Sequence, residues 1–243
     1  MEYKPFISLI IPTRNRISLL KQCLRTFYEK CSQKKLIEFI VLVDRDDEET
    51  INYLLKEAHI FSENLNIIIR KQGNTINDWY MNYGAQCAKG NLVWILNDEC
   101  ICKTYNWDIE LLKLYKDKIE KNSDKIFYIA IDDGTHFPNP ELFAGNGSAF
   151  PILTKEYINA MGFCFPPDIE AHGGDVALFS IFVYLKNNLG YDKILVYPLI
   201  KLEHISSNNQ LILPDAIQQR TSNMSKKTGL PIYEVEYLAH KLL

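Results

Sequence analysis

Three oxygen-bearing side chains follow a continuous apolar run at residues 92–96. Asn97, Asp98 and Glu99 come directly after the sequence Leu-Val-Trp-Ile-Leu. A run that is apolar on both faces is typical of a strand covered by helices on both sides. Carboxylate and amide oxygens grouped at the end of such a strand suit a hard divalent cation that also binds phosphate oxygens. The alternative interpretation of this segment alone is a strand followed by a polar turn.

Polar residues also follow each of the three preceding predicted strands. They are Thr13, Arg14 and Asn15 after the first strand, Asp44 after the second, and Arg70 at the end of the third. Because the carboxyl ends of parallel strands meet at one sheet edge, we expect these side chains to lie near Asn97, Asp98 and Glu99. Two alternatives stand beside this expectation. Asp44 could cap a helix that starts near Asp47, and arginines after strands are often merely exposed.

The elements that would position these residues alternate regularly in the first half of the chain. Hydrophobic periodicity predicts strands at 6–11, 37–43, 65–70 and 91–96, the first of them closed by Pro12. Helices are predicted between them: one capped by Ser18, one over 51–58 and one over 79–88. In the second half we predict strands at 126–131, 148–153 and 194–200, helices at 157–161 and 176–185, and a loop-rich segment at 132–146. This alternation predicts an α/β fold with a mostly parallel sheet and helices on both faces.

Composition excludes several classes of function. A net charge of −3 over 243 residues gives no bulk attraction to nucleic acid or to an anionic membrane. No apolar stretch reaches the length of a membrane span and no signal-peptide pattern opens the sequence, so we expect a cytoplasmic protein. The six cysteines are scattered, which favours free thiols in a reducing compartment. Cys100 and Cys102 form a lone C-x-C pair without the partners that a zinc site needs.

Nucleotide phosphates need counter-charge, and two common solutions are missing from this sequence. It contains neither a G-x-x-x-x-G-K-[ST] loop nor a G-x-G-x-x-G turn after the first strand. A diphosphate site that depends on a metal ion is therefore the remaining interpretation of the polar strand ends.

From about residue 7 to residue 204 the sequence resembles the family 2 glycosyltransferases, which have the GT-A fold. Residues 7–16, Ile-Ser-Leu-Ile-Ile-Pro-Thr-Arg-Asn-Arg, are similar to that family's first strand and nucleotide-contacting loop. Asp44 matches the aspartate that contacts the base of the sugar nucleotide. Asn82, Tyr83 and Gly84 resemble the R-N-x-G helix. Asn97, Asp98 and Glu99 stand in the place of the D-x-D motif, with Asn for the first Asp and Glu for the last.

The resemblance continues on the acceptor side. Residues 145–150 and 157–163 look like the family's G-x-x-x-x-F and G-G-F segments. Gly173, Gly174 and Asp175 fall where the family has an E-D pair, with Gly174 in place of the acid. The resemblance implies that Asp175 is the catalytic base, although an N-cap role for Asp175 would explain it without catalysis. His204 lies where related enzymes supply a histidine to the metal or the diphosphate.

The resemblance also implies a domain plan and a set of roles. Residues 1–205 would form the GT-A domain, with a Rossmann-like nucleotide-sugar-binding half at 1–100 and an acceptor half at 101–205. Residues 206–243 would be a helical appendage or lid. Glu99 and His204 would hold the metal ion, and Asp175 would act on the acceptor. The donor would be contacted by Pro12, Thr13, Arg14, Asp44, Arg70, Asn82, Asn97 and Asp98.

The implied activity is inverting transfer of a sugar from a nucleotide diphosphate sugar to an acceptor hydroxyl, with Mn²⁺ or Mg²⁺. We expect a UDP-sugar donor; the acceptor could be a glycan, a lipid, a protein or a modified nucleobase, and the oligomeric state is left open. One alternative is a catalytically inactive binding module, suggested by Asn97 and Gly174. The other is a nucleotidyltransferase that makes the sugar nucleotide, which normally needs a Gly-rich loop where residues 12–16 have no glycine.

Overall fold

The protein is built around one curled, mostly parallel β-sheet. The computed structural model describes residues 4–61, 63–73, 75–137, 139–167, 169, 173–205 and 230–243, with the backbone alone at 140–142. Within these ranges eight strands form the sheet in the order β3-β2-β1-β4-β7-β6-β8-β5. They are β1 Ile7–Thr13, β2 Ile37–Asp44, β3 Leu65–Arg70, β4 Leu92–Ile95, β5 Cys100–Cys102, β6 Tyr128–Asp132, β7 Ile152–Thr154 and β8 Ile194–His204.

The first four strands are parallel, as the alternation of elements predicts. β1 lies between β2 and β4, and β2 continues to β3. β7 is antiparallel to both β4 and β6, β6 is parallel to β8, and β5 is antiparallel to β8. The carboxyl ends of β1, β2, β3 and β4 therefore lie along one edge of the sheet.

Each face of the sheet carries its own hydrophobic core. Side chains alternate along a strand, so Leu9 and Trp94 pack into one cluster, whereas Ile10 and Val93 pack into the other. All four side chains are fully buried. Burial on both faces explains why these strands are continuous apolar runs in the sequence.

The helices cover both faces and differ in detail from the predicted ones. They are α1 Ile17–Lys30, α2 Glu48–Lys56, α3 Tyr83–Cys87, α4 Trp107–Leu114, α5 Pro140–Asn146, α6 Lys155–Met161, α7 Gly174–Leu189 and α8 Ile232–His240. The predicted cap Ser18 is wrong, because α1 begins at Ile17 with Arg16 as its N-cap residue. The helix predicted over 79–88 is present, but it begins at Asn77 and its first part is π-helical. A π-helical segment, Asn77–Asn82, leads directly into α3.

The second half departs further from the sequence prediction. β5 and α4 were not predicted, the loop-rich segment 132–146 ends in α5, and the strand predicted at 148–153 is the shorter β7. β8 runs to His204, four residues beyond the predicted end. This extension lets β8 pair with β5 as well as with β6.

The described end of the chain, residues 230–243, contains α8. Ala239 and Leu242 are buried in the same hydrophobic cluster as Phe182 and Leu185 of α7. The rest of the predicted appendage, residues 206–229, lies outside the described residues. Within the described ranges, no helix combines the length and the apolar character that crossing a bilayer requires.

Candidate functional site

The last residue of β1 and the three residues after it reach acidic groups that follow β2 and β4, the two strands beside β1. Thr13 donates a hydrogen bond of 2.6 Å from Oγ1 to Asp98 Oδ2, beyond β4. Two residues on, the Asn15 backbone N–H donates to Asp47 Oδ2 at 2.6 Å, beyond β2. Asn15 has a φ of 52°, the left-handed conformation that asparagine tolerates better than most residues. The loop is thus fixed on both sides, and Arg14 and Arg16 extend from it in different directions.

Arg16 bridges the two carboxylates at the end of β4. Its Nη2 lies 2.7 Å from Asp98 Oδ1, and its Nη1 donates a hydrogen bond of 2.7 Å to Glu99 Oε1. Asp98 is completely buried, and this burial raises its pKa to about 6 in spite of the neighbouring guanidinium. The Glu99 pKa is lowered instead, first by the hydrogen bond with His204 and also by Arg16. Sequence reasoning gave Arg16 no role, because a loop arginine does not reveal which acid it faces.

His204 is brought to Glu99 by the pairing of β5 with β8. Cys100 is the register partner of His204, and Ile205 N donates to the Glu99 backbone oxygen at 3.0 Å. The two side chains then meet with Glu99 Oε2 3.3 Å from His204 Nε2. On its other side the imidazole Nδ1 lies 3.4 Å from Thr135 Oγ1, and the ring stacks edge-on against Phe150. Residues 105 positions apart in the sequence therefore share one location.

The donor atoms at this location fit a divalent cation whose coordination shell is completed by substrate oxygens. Two ligand atoms on one small octahedral cation are about 3 Å apart, close to the separation of Glu99 Oε2 and His204 Nε2. Asp98 Oδ1 is buried, and its contact with Arg16 lacks hydrogen-bond alignment. Among the described residues, no three His, Cys, Asp or Glu side chains converge as a complete ligand set. The protein would thus supply two ligands, which is common where phosphates provide the others.

Asn97 contributes to the shape of this turn. Its Oδ1 accepts hydrogen bonds from Glu99 N at 3.0 Å and from Cys100 Sγ at 3.2 Å. An asparagine side chain that binds the backbone two residues on forms an Asx turn, which fixes the direction of the next side chain. The contacts of Asn97 thus orient Glu99 toward His204.

A second polar group surrounds Asp44 at the end of β2. Arg14 Nη1 donates to Asp44 Oδ2 at 2.5 Å, and the Arg14 guanidinium also forms a two-pronged pair with Asp46. Tyr80 donates from its hydroxyl to Asp44 Oδ1 at 2.5 Å. Burial and this hydrogen bond raise the Tyr80 pKa to about 12. Asp47, not Asp44, accepts the capping hydrogen bond of α2 from Thr50 N, so the capping interpretation of Asp44 is wrong.

Arg70 lies beside this group in a stack of aromatic rings. Its guanidinium carbon is 3.8 Å from the centre of the Trp79 ring and 3.9 Å from that of Tyr83. Arg70 also pairs in register with Asp44 across β2 and β3 and donates to the Trp79 backbone oxygen. Guanidinium groups between aromatic rings are held firmly and keep their charge. Arg70 therefore forms a rigid cationic wall next to Asp44.

Two further residues predicted to contact the donor are Pro12 and Asn82. Pro12 is part of β1, opposite Leu42 of β2. The buried Asn82 side chain accepts from Cys164 N and Phe165 N, both at 2.9 Å, and donates to Phe165 O at 2.8 Å. These contacts use the amide to join the helix before α3 to residues 164–165. A positioning role explains Asn82 better than the donor contact predicted from the sequence.

The sequence of this chain matches the family model described as glycosyl transferase family 2 over residues 8–165. The match covers more than half of the chain. The chain belongs to glycosyl transferase family 2. The matched range runs from β1 through Asp44 and the turn at Asn97 to the segment that Asn82 contacts, and it ends before Asp175 and His204.

Solved structures share the fold of this family 2 protein at low sequence identity. The mannosyltransferase PcManGT from Pyrobaculum calidifontis, in complex with GDP-Man and Mn²⁺, has a TM-score of 0.65 at 15% identity over 98% of this chain. Residues 1–349 of S. aureus TarS in complex with UDP-GlcNAc give a TM-score of 0.60 at 13% identity, again over 98% of this chain. This chain spans 69% and 71% of those two chains. The fold that this chain shares with both structures is GT-A. No curated protein matches its sequence significantly.

Asp175 occupies the first turn of α7, after the N-cap residue Gly173. Burial, together with the charges of Asp175 and Asp133, raises the pKa of Tyr128. Gly174, which replaces the acid of the family's E-D pair, packs tightly. A Cβ on Gly174 would lie 2.6 Å from Asn77 Nδ2, and Asn77 itself donates to Ile169 O at 2.7 Å. A larger residue at 174 would thus displace Asn77, which gives a steric reason for this departure from the family 2 pattern.

Asp133 is a polar centre that sequence reasoning missed. Its buried carboxylate accepts from the backbone N–H groups of Thr135, His136 and Phe137 on one oxygen. The other oxygen accepts from Ser148 Oγ at 3.0 Å and Ala149 N at 2.7 Å. Asp133 thus fixes the loop that presents Thr135 to His204. Its sequence signal is an Asp-Asp-Gly turn directly after a predicted strand, at the start of the segment predicted to be loop-rich.

Proposed function

We propose that this family 2 protein is an inverting glycosyltransferase that moves a sugar from a nucleoside diphosphate sugar to an acceptor hydroxyl. The observation that carries the proposal is the meeting of Glu99 and His204, at 3.3 Å, beside the buried Asp98. In a GT-A fold this position, at the carboxyl end of β4, is where a ligand is expected to bind. The complexes of PcManGT with GDP-Man and Mn²⁺ and of TarS with UDP-GlcNAc support a nucleotide sugar as the donor.

The groups around Asp44 would bind the nucleoside. Asp44 and Arg14 offer an acceptor and donors next to the flat faces of the Arg70 stack. A base can form hydrogen bonds with the first two and stack beside the third. Because Tyr80 and Arg14 already hold both oxygens of Asp44, the carboxylate is fixed before the donor arrives. We expect a UDP-sugar to be the donor.

The diphosphate would lie between Thr13 and His204, next to Arg16. When Mn²⁺ or Mg²⁺ is bound, it supplies positive charge for the leaving diphosphate. Glu99 and His204 would hold that ion, and Asp98 would stay close to it through the Thr13 hydrogen bond. Arg16 is 26% exposed, so its guanidinium can also reach a phosphate oxygen from the loop.

Asp175 would act as the general base on the acceptor. As the acceptor oxygen attacks the anomeric carbon, its proton would pass to the Asp175 carboxylate and the bond to the diphosphate would break. A positioned base is worth typically 10²- to 10⁴-fold in rate. The loop after β6, fixed by Asp133, would form the neighbouring wall of the acceptor site.

The test is release of nucleoside diphosphate from a panel of UDP- and GDP-sugars with Mn²⁺, for the wild type and two variants. Asp175→Asn should lower turnover about 10²- to 10⁴-fold and leave the Kd for the donor nearly unchanged. The matched control is Asp192→Asn. Asp192 is an exposed residue that follows the C-terminal end of α7 and pairs with Lys186, so this variant should keep full activity.

Other outcomes of this assay identify the alternatives. Pyrophosphate as the product would indicate a nucleotidyltransferase. Binding of a sugar nucleotide without turnover on any acceptor class would indicate a binding module. Full activity of Asp175→Asn would show that another residue accepts the proton.

A further inference from the structure

Arg16 has an unusual place for a positive charge in a site expected to hold a cation. Its guanidinium contacts both carboxylates at the end of β4 at 2.7 Å, one of them completely buried. Two carboxylates and one guanidinium leave a net charge of −1 at this point. A divalent cation at Glu99 and His204 would thus enter a location where half of the attracting charge is already neutralised.

The backbone keeps Arg16 in this position. Arg16 is the N-cap residue of α1, and its carbonyl accepts the hydrogen bond of Leu20 N at 3.0 Å. The preceding residue is fixed by its bond to Asp47. The guanidinium therefore cannot leave by a shift of the loop without breaking these bonds, and only its side-chain torsions can move it.

The two side-chain oxygens of Glu99 contact different residues. Oε1 accepts from Arg16 at 2.7 Å, whereas Oε2 faces His204 at 3.3 Å. A cation at Oε2 would stand on the far side of the same carboxylate from Arg16. In this partly buried site, a cation at Oε2 and the Arg16 guanidinium at Oε1 would repel each other by far more than two exposed charges at the same distance.

We propose that Arg16 is a resident counter-ion that keeps cation affinity low until a nucleoside diphosphate binds. The diphosphate brings negative charge for both the cation and the guanidinium, so the repulsion is removed when donor and cation bind together. Because coupling between two ligands is reciprocal, the donor must also bind more tightly when the cation is present. The inference rests on the proposed function in two respects, the cation at Glu99 and His204 and the identity of the second ligand as a nucleoside diphosphate.

The experiment measures free Mn²⁺ by its electron paramagnetic resonance signal during titration of purified, nucleotide-free protein. Four proteins are compared: the wild type, Arg16→Gln, Arg16→Lys and Arg25→Gln. Arg25 is an exposed arginine of α1 that pairs with Glu29, so its variant controls for the loss of one positive charge. We expect Arg16→Gln to bind Mn²⁺ at least about tenfold more tightly than the wild type, and Arg25→Gln to match the wild type. Arg16→Lys keeps the positive charge that repels the cation and should stay within about threefold of the wild type.

The same titration is then repeated with saturating UDP or GDP. Wild-type affinity for Mn²⁺ should rise strongly, and the rise should be smaller in Arg16→Gln. Unchanged or weaker binding of Mn²⁺ by folded Arg16→Gln overturns the proposal, as does the absence of Mn²⁺ binding by all four proteins. If Arg16→Gln does not fold, the test uses Arg16→Lys and the wild type. A wild-type affinity for Mn²⁺ that is equal with and without nucleotide then overturns the proposal.

The first titration contains no sugar nucleotide, so its result does not depend on glycosyl transfer. A protein that fails to transfer sugar but shows the expected Mn²⁺ series supports the role of Arg16 and contradicts only the proposed sugar transfer. A protein that transfers sugar but shows equal Mn²⁺ affinity in the wild type and Arg16→Gln gives the opposite result.

Discussion

At the scale of single residues, two adjacent carboxylates have opposite acid–base behaviour. Asp98 is buried, and its pKa is raised to about 6, whereas the Glu99 pKa is lowered by its contacts with His204 and Arg16. Desolvation dominates for the first, and favourable partners dominate for the second. Near neutral pH both are ionised, but a modest fall in pH protonates Asp98 first.

This difference predicts how stability depends on pH. The native protein binds a proton at Asp98 below about pH 6, whereas the unfolded chain binds it only near the ordinary value of 3.8. The Asp98 contribution to the free energy of unfolding should thus increase by about 1 kcal/mol between pH 7 and pH 5. Urea unfolding of the wild type and Asp98→Asn at both pH values, in metal-free buffer, measures it.

The expected result is a wild type that gains about 1 kcal/mol relative to Asp98→Asn on going to pH 5. An equal pH dependence of the two proteins would mean that Asp98 titrates normally. Loss of relative stability at pH 5 would mean that the contacts with Arg16 and Thr13 outweigh burial.

The site could be predicted in part from residue types. Asp44, Asp98, Glu99 and Arg14 lie at strand ends, where the topology of a parallel sheet places ligand-binding groups. The roles of Arg16 and Tyr80 could not be predicted, because each depends on which carboxylate it meets across the sheet edge. The motif around Asn82 predicts a contact with the donor, but the Asn82 side chain binds backbone groups of Cys164 and Phe165.

At the scale of elements, Asn82 joins the π-helical segment before α3 to residues 164–165. Its amide satisfies two backbone N–H groups and one carbonyl inside the protein. Buried backbone groups that lose their partners cost far more than exposed ones. The connection therefore holds two parts of the fold in a fixed arrangement.

Asn82→Ala should lower the free energy of unfolding by about 3 kcal/mol, because three buried backbone groups would lose their partner. Gln86→Ala is the matched control. Gln86 lies on the same helix and donates to Gly162 O at 2.9 Å, but it is exposed, so its loss should cost less than about 1 kcal/mol. Chemical denaturation measures both. Equal effects would show that the Asn82 bonds are replaced by water after mutation.

Elements were predictable where the apolar pattern is long. The apolar runs predict β1, β2 and β4, which are almost entirely buried. β3 is only partly buried, although its three consecutive isoleucines predict a strand. β1 extends to Thr13, two residues beyond its predicted end at Ile11. β5 has three residues and no periodicity that could reveal it. The helix predicted over 79–88 overlaps the π-helical segment Asn77–Asn82, but the 3.6-residue pattern does not indicate its π geometry.

At the scale of the whole molecule, α8 completes the core on the face that carries α7. Val235 and Ala239 of α8 are buried, whereas Tyr233 and Tyr237 on its other side are exposed. α7 carries Asp175 in its first turn, so the packing of α8 supports the helix that holds the proposed base.

Ala239→Asp should therefore lower the melting temperature strongly, because it places a charge at a site with no exposed surface and costs about 3 kcal/mol or more. Tyr237→Asp on the same helix, at a side chain 71% exposed, should change stability by less than about 0.5 kcal/mol. Differential scanning calorimetry compares them. Similar melting temperatures for the two variants would show that α8 does not form part of the cooperative core.

The pairing of β5 with β8 has a consequence for biosynthesis. During translation the parallel strands β1 to β4 can associate as soon as they leave the ribosome, but Glu99 must wait for a partner encoded a hundred codons later. Contacts of such large sequence separation form late in folding. A nascent chain paused before residue 204 would already contain Asp44 and Arg70 but not the histidine that meets Glu99, so the contact between Glu99 and His204 can form only after synthesis has passed β8.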